Sequence, residues 1–143
     1  MNEFSVGFAD WKEDGTELIA VRSAVFVDEQ KVPENLEVDA KDPHCLHIKA
    51  LNRAGRIIGT ARLLPSHYIG RMCVLKAFRN RGVGGAILEF ILDYAIQNSI
   101  KRLKLNAQVT ALPFYQRYGF NAKNDVFDEA GIAHQLMVLS LFK

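Results

Sequence analysis

Cysteine is scarce in this chain: Cys45 and Cys73 are the two among 143 residues, each alone inside an apolar run. A disulfide framework is thereby excluded as the source of stability, and two small buried thiols in a reducing compartment are expected. Also missing is any stretch of about 18 apolar residues that could span a bilayer. The start, Met1-Asn2-Glu3-Phe4, has neither the cationic opening nor the apolar core of a secretion signal. A cytoplasmic protein with no membrane partner is expected. An excess of one charge is absent too: 18 Lys+Arg against 16 Asp+Glu give a net +2, without the basic surplus of a dedicated nucleic-acid binder. There is no internal repeat or linker, and 49% hydrophobic residues with so little net charge exclude disorder. A chain of about 150 residues buries roughly 70% of its unfolded surface, so residues 1–143 are expected to form one domain.

Coarse periodicity places the elements. Phe4, Val6 and Phe8 alternate as a first strand. Asp14-Gly15 reads as a break, followed by Thr16 as N-cap of a helix to about Phe26, carried by Leu18, Ile19, Val21 and Val25. Residues 27–43, rich in charge and holding Pro33 and Pro43, read as an acidic loop or short broken helix. Strands are expected at 45–51, 56–64 and 68–75, joined by short Gly- or Pro-bearing turns that favour antiparallel hairpins. A helix runs to about Asn98, with Val83, Ile87, Phe90, Ile91 and Tyr94 on its main apolar face. A short strand at 103–107, a short helix at 111–118 ended by Gly119, and a late strand at 132–141 complete the reading.

The ten glycines matter by position. In Arg79-Asn80-Arg81-Gly82-Val83-Gly84-Gly85 a strand runs through a turn into a helix, which leaves unpaired N–H groups at the positive end of the helix dipole. Gly82, Gly84 and Gly85 remove side chains that would hold a phosphate away, while Lys76, Arg79 and Arg81 add positive charge. A phosphate-bearing ligand is expected. A Walker A loop is excluded because Ile87 and Leu88 stand where it needs Gly-Lys. A dinucleotide fingerprint fails at Ile87 and lacks the later acidic residue.

These residues resemble the GCN5-related N-acetyltransferases (GNAT). Arg79-x-x-Gly82-x-Gly84 fits the family's Gln/Arg-x-x-Gly-x-Gly/Ala signature, and Tyr115-Gln116-Arg117-Tyr118-Gly119-Phe120 looks like its Tyr-x-x-x-Gly-Phe element. The run from Arg22 to Gln30 resembles the ElaA-like and YjcF-like branch. The resemblance implies an α/β fold, with a mixed, largely antiparallel sheet of six or seven strands flanked by helices and splayed at the cofactor. It implies acetyl-CoA as donor, its pyrophosphate held by the amides from Arg81 through Gly82, Val83 and Gly84 to Gly85, and its pantetheine arm pairing with the main chain of Met72, Cys73 and Val74. Tyr115 aligns with the general acid, since a phenol with a pKa near 10 is protonated at neutral pH. The activity implied is acetyl transfer to a primary amine of a small molecule or peptide by direct attack.

Two departures stand out. Gln108 occupies the place of an Asn that contacts the arm in many members, with Asn106 two residues earlier; either amide could serve. The strand Tyr68-Ile69-Gly70-Arg71-Met72 lacks the Glu that acts as base in many members. Glu29, Glu37 and Asp39 are candidate bases or contacts for a cationic acceptor, beside deprotonation by bulk water, and Arg71 could pair with an acceptor carboxylate or with Glu29. Asp42, His44, Cys45 and His47 would need distortion to share a metal, because strand neighbours alternate faces, so no metal is expected. Cys73 lacks a partner that would make it a nucleophile. The alternative function is a CoA-binding regulator without turnover, and a homodimer is plausible by resemblance.

Overall fold

The structure, a computed structural model, describes residues 3–142; Met1 and Asn2 of the N-terminal reading, and Lys143, lie outside the described residues. Strand β1 (Phe4–Ala9) carries the alternating aromatics. Asp10 then caps α1 (Trp11–Arg22): its side chain accepts from the Lys12 N–H at 3.0 Å, and its own N–H donates to Asp14 Oδ2 at 3.0 Å. This pairing satisfies donors that a first turn leaves unbonded. The helix therefore starts well before the expected Thr16 cap. Gly15 is no break but a helical residue on which the Trp11 ring rests, 3.5 Å from where a Cβ would project. Nor does the helix stop at Phe26, because it continues into a π-helical segment, Ser23–Glu29, closed by the Gln30 N–H on the Val25 carbonyl at 3.1 Å. The remainder of the acidic stretch holds α2 (Glu34–Glu37) and a 3-10 turn at Asp42–His44.

Strands β2 (Leu46–Asn52), β3 (Ile57–Leu63) and β4 (Tyr68–Val74) form an antiparallel meander. Its first turn is fixed by the Asn52 side chain, which accepts from Ala54 and Arg56 N–H groups, and by Gly55 at φ 82°. Helix α3 (Val83–Gln97) and β5 (Arg102–Gln108) follow, then α4 (Leu112–Gln116), β6 (Asn121–Glu129) and β7 (Ile132–Ser140). The seven strands form one sheet in the order β1-β2-β3-β4-β5-β7-β6, antiparallel except between β4 and β5. Strand β6 escaped the sequence reading because almost all of it is exposed, so Asn121-Ala-Lys-Asn-Asp125 shows no apolar alternation. Its charges and an irregular register between Lys123 and Phe127 suit an edge strand that must not pair further.

Helices cover both faces. On one, α3 lays Val83, Ile87, Leu88, Ile91 and Ala95 over a core that includes Ile48, Ile58, Leu103 and Phe120. On the other, Leu18, Val21 and Val25 pack on Ile57 and Cys73. Each fully buried large aliphatic contributes about 1.5–3 kcal/mol, which makes β3, buried along its length, the sheet's anchor. Between β4 and β5 the ladder is only two pairs long, Tyr68↔Lys104 and Ile69↔Leu105. Beyond it β4 bulges: the register on β3 passes from Arg62↔Gly70 to Thr60↔Cys73, so two residues, Arg71 and Met72, oppose Ala61. Arg71 takes a left-handed φ of 50° there. Bulges bend a strand and re-aim its side chains, and this one accompanies the parting of the two strands. No helix of the described residues is long and apolar enough to cross a membrane.

Candidate active site

The parting opens a cleft of about 940 Å³ floored by β4, β5 and β7 and walled by the π-helical segment and α2. Met72, Cys73, Val74, Asn106 and Gln108 all line it, as do Arg71, Arg79 and Tyr115. Past Ile69, the edge of β4 that faces β5 has no ladder partner, and an extended ligand can pair with such an edge. The Val74 carbonyl already accepts from Arg79 Nε at 2.9 Å. Cys73 belongs to the core under α1, and burial pushes its thiol up to about 12. Such a thiol offers no thiolate chemistry at neutral pH.

At the head of α3, Gly82 has φ 86° and no side-chain cap, whereas α1 is capped by Asp10. The first amide to bond within the turn is that of Ala86, to the Gly82 carbonyl at 3.0 Å. The N–H groups of Val83, Gly84 and Gly85 precede it and have no helical acceptor. An anion suits these amides and the positive end of a 15-residue helix, so the turn fits a pyrophosphate. The glycines divide the work. A Cβ on Gly82 would meet nothing, one on Gly84 would touch Phe114 and Val74 at ordinary distances, and one on Gly85 would strike the Tyr118 hydroxyl. Gly85 thus admits Tyr118 as well as leaving the turn open. Arg81 is half exposed and 3.6 Å from Glu3. Arg79, in contrast, is committed: beyond its bond to Val74 it holds the Glu29 carboxylate at 2.8 Å, tying β4 to the π-helical segment. Arg79 pulls the Glu29 carboxyl below its ordinary value.

Tyr115 stands on α4, just past β5, and its hydroxyl donates across the cleft to the Met72 thioether sulfur at 3.3 Å. The rings of Phe114 and Phe120 meet it edge-on. Burial pushes the phenol up to about 12. Gln108 donates to the Gln30 side chain at 2.8 Å, closing β5 onto the end of the π-helical segment, while Asn106 is exposed to the cleft.

The candidate carboxylates of the acidic segment are not free. Glu37 is buried and bound by Arg22 through two bonds of 2.6 and 2.9 Å. Asp42, also buried, is held by Arg22 and by Arg62, each at 2.8 Å. Asp39 receives two 2.8 Å bonds from Arg62 and a longer one from Arg71. Those contacts, Arg62 foremost, hold Asp39 far below the usual carboxylate range. For Asp42, burial pulls upward but the bonds from Arg22 and Arg62 outweigh it. Three carboxylates face three guanidiniums in a cluster of balanced charge, with Arg22, Arg62, Glu37 and Asp42 buried and Asp39 and Arg71 half-buried. Arg71 spans from the bulge to the Glu37 and Leu36 carbonyls; burial, with Arg62 and Arg22 nearby, lowers its pKa. As general bases, Glu29 and Asp39 are therefore weakened and Glu37 is obstructed. Of the residues once considered for a metal, His47 bonds the Asp42 carbonyl and stacks on Trp11, and the Cys45 thiol bonds the Lys41 carbonyl.

Sequence reasoning missed Arg22 and Arg62 as site residues, though a lone arginine in the apolar run Ile57–Leu63 was a signal. It also missed Gln30, Glu129 and His134, which line the cleft. His134 could have been found as the one imidazole in the alternating strand β7.

The sheet order, the two-pair seam and the uncapped glycine turn define an acyl-CoA N-acyltransferase fold. Residues 9–141 match the acetyltransferase (GNAT) domain family. Bacillus subtilis YjcF, an uncharacterized N-acetyltransferase, is 35% identical over 82% of this chain and 86% of its own length. The crystal structure of Escherichia coli ElaA superposes with a TM-score of 0.84 at 28% identity, covering 98% of this chain and 100% of ElaA. A GNAT family acetyltransferase from Elizabethkingia anophelis with acetyl-CoA bound shares the fold, with a TM-score of 0.73 at 20% identity over 99% and 100% of the two chains. The chain belongs to the GNAT family of acetyltransferases.

Proposed function

We propose that this acetyltransferase moves the acetyl group of acetyl-CoA to a primary amine of a small molecule or peptide by direct attack. The observation that carries the reading is the Tyr115 hydroxyl, which donates across the parted strands to a sulfur, beside the uncapped head of α3. The Met72 thioether stands in for a thioester sulfur in that contact. The acetyl-CoA bound in the Elizabethkingia relative supports the choice of donor. Bound acetyl-CoA supplies an activated acyl carbon and a thiolate leaving group. The amides of Val83, Gly84 and Gly85, with Arg81, bind its phosphates, and the open edge of Met72–Val74, faced by Asn106, orients the arm.

Tyr115 acts on the departing sulfur. At about 12 its pKa lies above a thiol's, and each unit of difference corresponds to about 1.4 kcal/mol. Tyr115 therefore stays protonated throughout the neutral range, stabilises developing charge on sulfur by donating, and passes a proton on without resting as phenolate.

The test is release of CoA thiol from acetyl-CoA across a panel of primary amines, with product mass. A gain of one acetyl group on an amine nitrogen, coupled to thiol release, is expected. Tight acetyl-CoA binding with thiol release at background for every amine refutes transfer and leaves a CoA-binding regulator.

A further inference from the structure

We propose that His134 is the general base of this reaction, its Nε2 taking the proton from the acceptor ammonium; this rests on the acetyl-transfer reading above. Glu29, Glu37, Asp39 and Asp42 are bound by arginines, which leaves bulk water or another residue of the cleft to take the proton. Among the described histidines, His134 alone lines it. Strand register sets His134 opposite Gln108 and Leu136 opposite Asn106, and directly opposed residues share a face of the sheet. His134 thus lies on the face with Asn106 and Gln108.

The ring is poised by its surroundings. His134 is 7% exposed, stacked on Phe127, with Nδ1 2.7 Å from the Ile132 carbonyl. A carbonyl only accepts, so the proton of the neutral ring sits on Nδ1 and the lone pair on Nε2. Glu129 of β6 stands 3.7 Å from Nε2, too far for a hydrogen bond but near enough to stabilise an imidazolium. The neighbours from β5, Asn106 and Gln108, are uncharged. Besides Glu129, the ionisable side chains lining the cleft are Tyr68, Tyr115, Cys73 and Lys41, together with Glu37, Asp39, Arg62, Arg71 and Arg79, which are held in ion pairs. The Glu129 carboxylate at this end of the cleft would attract an acceptor that arrives as an ammonium ion.

The protons balance. One leaves the ammonium for His134 Nε2, freeing the nitrogen lone pair. The nitrogen then bonds the acyl carbon, the carbon–sulfur bond breaks with its electron pair going to sulfur, and a second nitrogen-bound proton ends on that sulfur through Tyr115. His134 returns its proton to solvent, so one proton is released per amide formed.

The test combines kinetics with a readout on the resting protein. The pH profile of kcat should fall on the acid side with the midpoint at which the His134 ring titrates by NMR in the CoA-bound protein, and the neutral ring should carry its proton on Nδ1. In His134→Gln, kcat near pH 7 should drop about 100-fold or more, the size of a general-base contribution, with CoA affinity and melting temperature kept. In Glu129→Gln, at an exposed edge position, the kinetic and NMR midpoints should stay matched to one another. An acid limb that survives His134→Gln, a ring protonated on Nε2, or kinetic and NMR midpoints that move apart in Glu129→Gln overturns the base assignment while wild-type transfer stands. Absence of transfer by the wild type refutes the acetyl-transfer reading itself, and the assignment falls with it.

Discussion

Arg22→Ala strikes the cluster that holds α2 over the cleft. The arginine side chain is 1% exposed and carries five bonds, to both oxygens of Glu37, the Glu37 carbonyl, and both oxygens of Asp42. Its removal leaves Glu37 buried without its cation, whereas Asp42 keeps Arg62. Breaking a buried pair by deleting one partner costs roughly 3–5 kcal/mol. In a domain of this size that corresponds to a fall in melting temperature of about 10–20 °C. The pH dependence adds a second handle. Asp42 and Asp39 have folded pKa values below their ordinary ones, so their contribution is complete above the unfolded value near pH 4 and is lost as pH falls. Arg22→Ala forfeits part of that contribution in advance. Its deficit should therefore be largest near pH 7 and shrink towards pH 3. Urea unfolding by circular dichroism at several pH values measures this directly. A deficit under about 1 kcal/mol, or one unchanged from pH 7 to pH 3, would refute the view that the cluster is a cooperative buried ion network.

Tyr115→Phe removes one weak O–H···S contact, so stability should change by less than about 1 kcal/mol while turnover drops about 100-fold or more. Because the phenol titrates at about 12, the wild-type rate should show no alkaline limb attributable to Tyr115 below pH 10, and a limb there that vanishes in Tyr115→Phe contradicts the buried phenol. Gly85→Ala should weaken folding through its clash with Tyr118, and Tyr118→Phe should restore much of the loss in a double-mutant cycle; no rescue would mean the clash is relieved elsewhere. Cys73, pushed up to about 12, should resist alkylation at pH 8 in the native protein and react on unfolding, as peptide mapping would reveal. Leu88→Ala, at a fully buried site on the core face of α3, should cost about 2–5 kcal/mol by chemical denaturation.

Where local chemistry and long-range packing agree, the sequence was legible. The period of Val83, Ile87 and Ile91 and the glycine turn before it marked α3 because the same residues that favour a helix also face the core. The short helix that carries Tyr115 was readable because it depends on one turn of chain after β5. Legibility failed where side chains settle accounts at a distance. The Asp10–Asp14 cap outweighs Gly15, moving the helix start. Glu37 and Asp39 looked like a solvated acidic face, yet their partners Arg22 and Arg62 lie far away in sequence and meet them only once the sheet has formed. Strand β6 carries no period at all because its register is borrowed from β7. His134 was hidden for a similar reason: its significance comes from neighbours on β5 and β6.

The two-pair seam between β4 and β5 has a calorimetric consequence. The sheet's halves, β1 to β4 and β5 to β7, share little main-chain bonding beyond those pairs, so a ligand that bonds both lips completes a ladder the chain leaves open. Such a ligand binds only the folded protein and raises its stability by mass action, about 2.7 kcal/mol at a concentration one hundred times its dissociation constant. Because one core under α3 joins both halves, donor binding should shift a single unfolding endotherm upward, making its midpoint a gauge of occupancy.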